Sequence, residues 1–117
     1  MPFDIAQSQQ AAMEEKRKFR RVPIAAHIQG EAGDVPYVAE ARNISVGGML
    51  IRTIYTLEEG KSIQLRFVLP DSEKEIAATG MVQHVSPDAY MGIRFLDLTP
   101  ADLAHIQTYV NAAKEEE

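Results

Sequence analysis

From Ile63 to Leu69 the chain alternates without a break: Ile63, Leu65, Phe67 and Leu69 are separated by Gln64, Arg66 and Val68. Successive side chains of a strand point to opposite faces, so this run has one apolar face and one largely polar face. It predicts a strand buried on one side only. The same period recurs at Val22, Ile24, Ala26 and Ile28 (against Pro23, Ala25, His27 and Gln29), at Tyr37, Ala39 and Ala41 (against Val38, Glu40 and Arg42), at Met49, Ile51 and Thr53, and at Met91, Ile93 and Phe95. Ile76 to Val85 reads as a longer strand whose phase alternation does not set, with Gly80 marking a bulge. Turn regions are expected at Gly30 to Pro36, at Asn43 to Gly48 and at Pro70-Asp71-Ser72. Six half-buried strands predict an all-β fold, a six-stranded antiparallel barrel whose closure removes the sticky edges.

Strand patterning ends at Thr99-Pro100-Ala101-Asp102. Thr99 suits the N-cap of a helix, Pro100 its first position and Asp102 the third, a capping-box-like pair. Leu103, Ile106, Val110 and Ala113 then share a helical face expected to cover one end of the barrel. Residues 1–15 are polar and Gln/Ala-rich, which predicts a flexible tail with a short helix over 10–15. Residues 16–114 are expected to form the domain, and 115–117 a frayed end. With 117 residues, 45% of them hydrophobic, the chain suffices for one core.

The absence of cysteine excludes disulfides and thiolate metal sites and fits a reducing compartment. No apolar run approaches a membrane span, and Met1-Pro2-Phe3-Asp4-Ile5 lacks the basic start and apolar core of a signal peptide. A soluble cytoplasmic protein without membrane insertion is expected. The net charge of −5 opposes indiscriminate binding to nucleic acid or anionic lipid. Yet Lys16, Arg17, Lys18, Arg20 and Arg21 place five cations within six positions. A basic patch this confined suits a small anion better than a polymer, the alternative being a solvated, mobile arm.

Two polar motifs lie one hairpin apart: Arg17-Lys18-Phe19-Arg20-Arg21 and Asn43-Ile44-Ser45-Val46-Gly47-Gly48. Arginine grips phosphate bidentately and also forks onto a purine edge. Asn and Ser beside a Gly-Gly turn supply short side chains and bare amides. Together they point to an anionic, guanine-bearing ligand. The alternative for the second motif is a β-bulge with local Asx and Ser turn bonds.

R-x-x-x-R followed by N-x-S-x-x-G resembles the PilZ domain, a bacterial receptor module for cyclic di-GMP, whose pattern takes Asp or Asn at the position of Asn43. The resemblance implies a six-stranded antiparallel barrel with a C-terminal helix, in agreement with the periodicity. It implies that Arg17 and Arg21 contact a base edge and phosphate, and that Asn43 and Ser45 hydrogen-bond a guanine with Ile44 turned inward. Gly48 matches the fixed glycine, where a left-handed backbone or a close ligand approach would exclude a Cβ. Gly47 is expected to expose an amide and Lys18 to add field. Arg20 is expected either to stack on a base or to turn to solvent, and Phe19 to pack the arm onto the barrel.

The function this implies is a non-catalytic, stand-alone receptor in the bacterial cytoplasm, with no cofactor, in which cyclic di-GMP orders the segment from Gln10 to Arg21 and alters a surface read by a partner of motility, pilus, polysaccharide or transcription machinery. The alternative is a protein-interaction adaptor working without the nucleotide. An enzyme is disfavoured: His27, His84 and His105 fall on separate predicted elements with no H-x-x-x-H spacing and no Ser-centred elbow, and the pair His84 and Asp88 carries no acid-base logic. A single-strand-binding barrel needs aromatic platforms on a basic groove. Here Phe67 and Phe95 fall on apolar strand phases and there is no Trp.

Overall fold

The computed structural model of the chain describes residues 20–113. The expected tail over 1–15 with its helix over 10–15, the positions of Lys16, Arg17, Lys18 and Phe19, and the frayed end over 115–117 lie outside these residues. Six strands follow in order, β1 Val22–Ala32, β2 Val35–Ser45, β3 Gly48–Arg52, β4 Ser62–Val68, β5 Glu75–Val85 and β6 Tyr90–Asp97, and then helix α1 Pro100–Ala112. They close into a barrel in the order β1-β2-β3-β6-β5-β4, every pairing antiparallel.

Alternation decides which faces turn inward. Ile63, Leu65, Phe67 and Leu69 are all buried, as are Val22, Ile24, Ile28, Tyr37, Ala39, Ala41, Met49, Ile51, Met91 and Ile93. Phe67 stacks on Phe95 with ring centroids 6.5 Å apart, so the two rings serve the core. β5 takes its phase from pairing rather than from pattern: its register against β6 shifts beside Gly80, where the extra residue is Leu96 of β6, and again between Val82 and His84, where the bulge on β5 itself is at Gln83 rather than at the expected Gly80.

Two expectations are corrected. The first turn is shorter than Gly30 to Pro36: Ala32 pairs with Val35 across a two-residue turn, Gly33-Asp34, and both strands run deeper into the segment. Gly33, with φ of 66°, takes the left-handed backbone the tight turn requires. Gly30 and Pro36, read as turn markers, lie within the paired strands.

The second correction concerns α1. The Thr99 hydroxyl accepts from the Asp102 amide at 3.1 Å, with Pro100 opening the helix, as the sequence predicts. The inward stripe, however, runs through Asp102, Ile106 and Val110, spaced four apart, with Ala113 partly buried beside it. Leu103 lies about 100° further round and is 43% exposed. Ile106→Ala should therefore cost about 2–5 kcal/mol, the usual range for truncating a filled core site. Leu103→Ala should stay within about 0.5 kcal/mol. Equal losses in urea unfolding would return Leu103 to the inner face.

Candidate functional site

The first motif ends where β1 begins, and the second spans the β2–β3 hairpin. Pro23 pairs with Asn43, and Ser45 pairs with Gly48 across the Val46-Gly47 turn. Register therefore brings Arg21 beside Asn43, although they are 22 positions apart in sequence. The Arg21 Nη1 donates to Asn43 Oδ1 at 3.1 Å. This bond joins the described end of the basic run to the first residue of the second motif.

A bulge aims the site outward. On β2, Ala41 pairs with Ile51 and Asn43 with Leu50, so Arg42 is the extra residue opposite β3. Bulges of this kind bend a strand and re-aim its side chains. Ile44 pairs with Met49 and both are buried, so Ile44 points into the core as expected, while Asn43 and Ser45 flank it. Both polar residues are nonetheless only 6% and 5% exposed.

Ser45 and Gly48 have structural work that is visible without any ligand. The Ser45 Oγ accepts from the Gly47 amide at 3.1 Å, a local turn bond. The Gly47 carbonyl accepts from the Phe95 amide at 2.9 Å, which ties the turn to β6. Gly48 does not have a left-handed backbone; among the described glycines positive φ occurs at Gly33 and Gly60. A Cβ on Gly48 would instead overlap the Ile93 carbonyl oxygen of β6. What excludes a side chain there is the neighbouring strand, which corrects the reasons expected from the motif.

Arg20, which is exposed, takes a partner at the end of α1. Its Nη2 donates to the Ala113 carbonyl at 2.8 Å, so it is directed neither to Asn43 nor simply to solvent. A cation at a helix C-terminus is favourably placed for the orphan carbonyls there. The Tyr109 hydroxyl, its pKa raised by burial and by the Asp71 carboxylate, donates to the Pro23 carbonyl at 3.0 Å. The start of β1 is thus held on one side by Asn43 and on the other by α1.

Beside Asn43 the outer wall carries a groove of about 710 Å³, lined among others by Pro23, Ala25, Glu40, Arg42, Leu50 and Tyr90. That volume falls within the range of about 300–1,000 Å³ usual for small-ligand sites. The outward phase of Glu40 and Arg42 was legible in the sequence. Tyr90 was not, because it arrives through the long-range pairing of β3 with β6, where it faces Arg52. Among the described residues no group of three or more His, Asp or Glu is placed to hold a metal ion, and no helix is long and apolar enough to cross a membrane.

The described residues thus form a closed antiparallel barrel with a capping helix, in which an arginine is bonded to the Asn of an N-x-S-x-x-G hairpin. The PilZ domain family model matches residues 15–112, and the chain belongs to that family. Solved structures agree on the fold. The inhibitor of motility MotI/DgrA of Bacillus subtilis superposes with a TM-score of 0.72 at 18% identity, over 82% of this chain and 49% of that one, so the chain spans about half the length of MotI. The PilZ domain of YcgR from Escherichia coli, determined with c-di-GMP, gives 0.65 at 14% identity over 83% and 90% of the two chains. The PilZ domain of CeSA from a cellulose-synthesizing bacterium gives 0.57 at 14% identity over 79% and 95%. No curated protein sequence matches the chain.

The contact at Gly48 generates a prediction. Gly48→Ala should lower ligand-free stability by about 1–3 kcal/mol, the usual cost of overpacking, because backbone cannot step aside. Gly92→Ala, whose Cβ would meet the His84 Cβ at an ordinary 3.6 Å, should be far milder. Thermal unfolding of both variants decides it, and equal midpoints would show that β6 yields at Gly48.

Proposed function

We propose that the chain is a non-catalytic cyclic di-GMP receptor whose ligand lies on the outer face of the barrel between the basic run and the β2–β3 hairpin. The observation that carries this reading is the Arg21–Asn43 hydrogen bond beside the groove. It supports the reading because it anchors a guanidinium through a neutral oxygen, leaving donors for guanine O6 and N7 or for a phosphodiester. Family membership and the c-di-GMP bound by the YcgR domain support the same ligand class.

Arg17 completes the motif in this reading and Lys18 adds positive field. Asn43 and Ser45 hydrogen-bond a guanine, Gly47 offers its amide, and Gly48 keeps β3 flat against β6. Arg20 and Arg21 already hold the barrel through Ala113 and Asn43. Ordering of the arm by ligand is therefore proposed for the residues preceding them, with amide hydrogen exchange expected to slow at 16–19 on saturation. The altered surface would be read by a partner protein, and the similarity to MotI, an inhibitor of motility, favours motility machinery in a bacterial cytoplasm.

Calorimetric titration tests the reading. Cyclic di-GMP should bind far more tightly than cyclic di-AMP, because adenine places a donor where guanine O6 accepts. Arg21→Ala should weaken binding by more than about 1.5 kcal/mol, the loss of a charge-assisted hydrogen bond. Arg21→Lys should recover little of that loss, since a point charge replaces a planar fork. Equal affinity for the two cyclic dinucleotides, or full recovery by lysine, would overturn the base-edge assignment; no binding at all would overturn the receptor reading and leave the adaptor.

A further inference from the structure

Resting on that reading, we propose that Glu40 and Arg42, outside both motifs, form a second guanine-reading subsite on the groove. Both side chains leave β2 on the outer face, both line the groove, and both are exposed. They stand two residues apart, which on a strand is about 6–7 Å. Among the described residues neither makes an ion pair, although Arg52 is the direct cross-strand partner of Glu40. Two opposite charges therefore face one groove with no ion-pair partner among the described residues.

Guanine is the base whose edges match that order of charge. O6 and N7 are acceptors side by side, suited to the guanidinium fork of Arg42. The adjoining edge carries the N1–H and N2–H donors, suited to the two oxygens of the Glu40 carboxylate. Tyr90 and Leu50, both half-buried on the neighbouring strands, supply an aromatic wall and an apolar floor against which a base plane can rest. Adenine keeps the N7 acceptor but sets its N6 donor where O6 accepts, against the guanidinium, and its N1 acceptor against the carboxylate. Such a pair selects by repelling the wrong base as well as by holding the right one.

The subsite also supplies partners for a second base. Cyclic di-GMP carries two guanines, and Arg21 with Asn43 forms one polar cluster at the Asn43 end of the groove. A second base, of the same molecule or of a second copy, needs its own donors and acceptors. Arg42 follows Ala41 at the bulge and directly precedes Asn43, so the two clusters adjoin without sharing a side chain.

The test uses the full chain, cyclic di-GMP and cyclic di-IMP, whose hypoxanthine lacks the exocyclic amino group. Wild type should prefer guanine by about tenfold or more, the worth of one charge-assisted hydrogen bond. Glu40→Ala should lose that preference and Arg42→Ala should weaken both ligands, each with the unfolding temperature of the ligand-free wild type. If wild type binds and Arg21→Ala weakens it while Glu40→Ala keeps the preference or binds more tightly, the subsite is overturned and the receptor reading stands. If wild type binds neither ligand, both fall together.

Discussion

Closure of the barrel rests on a short seam. β1 meets β4 through three residue pairs, Gln29 with Arg66, Gly30 with Leu65 and Glu31 with Gln64. At the middle of the seam a Cβ on Gly30 would overlap the Gln64 carbonyl oxygen, so the approach of the two backbones requires a glycine there. The Glu31–Arg66 ion pair across the seam, at 3.7 Å between side chains each more than one-third exposed, adds little, since exposed pairs of this kind are worth about 0–1 kcal/mol. What holds the seam is backbone pairing over Ile28, Ile63 and Leu65, all at 1% exposure. The candidate site depends on it, because Arg21 directly precedes β1 and the strand must be fixed at both edges to hold that residue in place.

The site is a meeting of registers rather than of sequence neighbours. Pairing of Pro23 with Asn43 sets Arg21 opposite the second motif, and pairing of Gly48 with Arg94 seats the hairpin on β6. The bulge at Arg42 adds a third offset and turns that residue into the groove. Each offset fixes a position to within one residue, and a slip of one residue would exchange the two faces of the strand. The helix adds the remaining constraint: Arg20 on Ala113 and Tyr109 on Pro23 pin the entry of β1 from its other side.

Much of this was legible in the chain, for reasons that also mark where legibility stops. The inward residues of β4 were plain because Ile63 to Leu69 alternates perfectly, and the cap at Thr99 was plain because capping is local. Gly30 was misread as a turn marker because glycine signals both a tight turn and a close strand approach, and only the pairing with β4 decides between them. Leu103 was misplaced because positions three and four apart on a helix both suit a stripe, and the barrel end chooses. Arg21 and Asn43 could be paired in advance through the hairpin that joins them. Tyr90 could not, since β3 and β6 are distant in sequence, and neither could the reason for Gly48, which is the Ile93 carbonyl of that same β6.

The choice of Asn rather than Asp at position 43 has an electrostatic consequence at the site. A carboxylate there would orient Arg21 equally well but would also cancel its charge, and a ligand phosphate would then have to displace or share with an anion. The Asn43 amide oxygen accepts one of the five guanidinium donors and carries no charge, so the cation is held in direction with its field intact. Asn43 is almost wholly covered while Arg21 is exposed, so the anchor is buried and the cation it directs faces solvent. In a chain of net charge −5, a positive site survives only where acidic side chains are kept from pairing with it. Neutral anchoring at Asn43 directs Arg21 without itself cancelling the guanidinium charge.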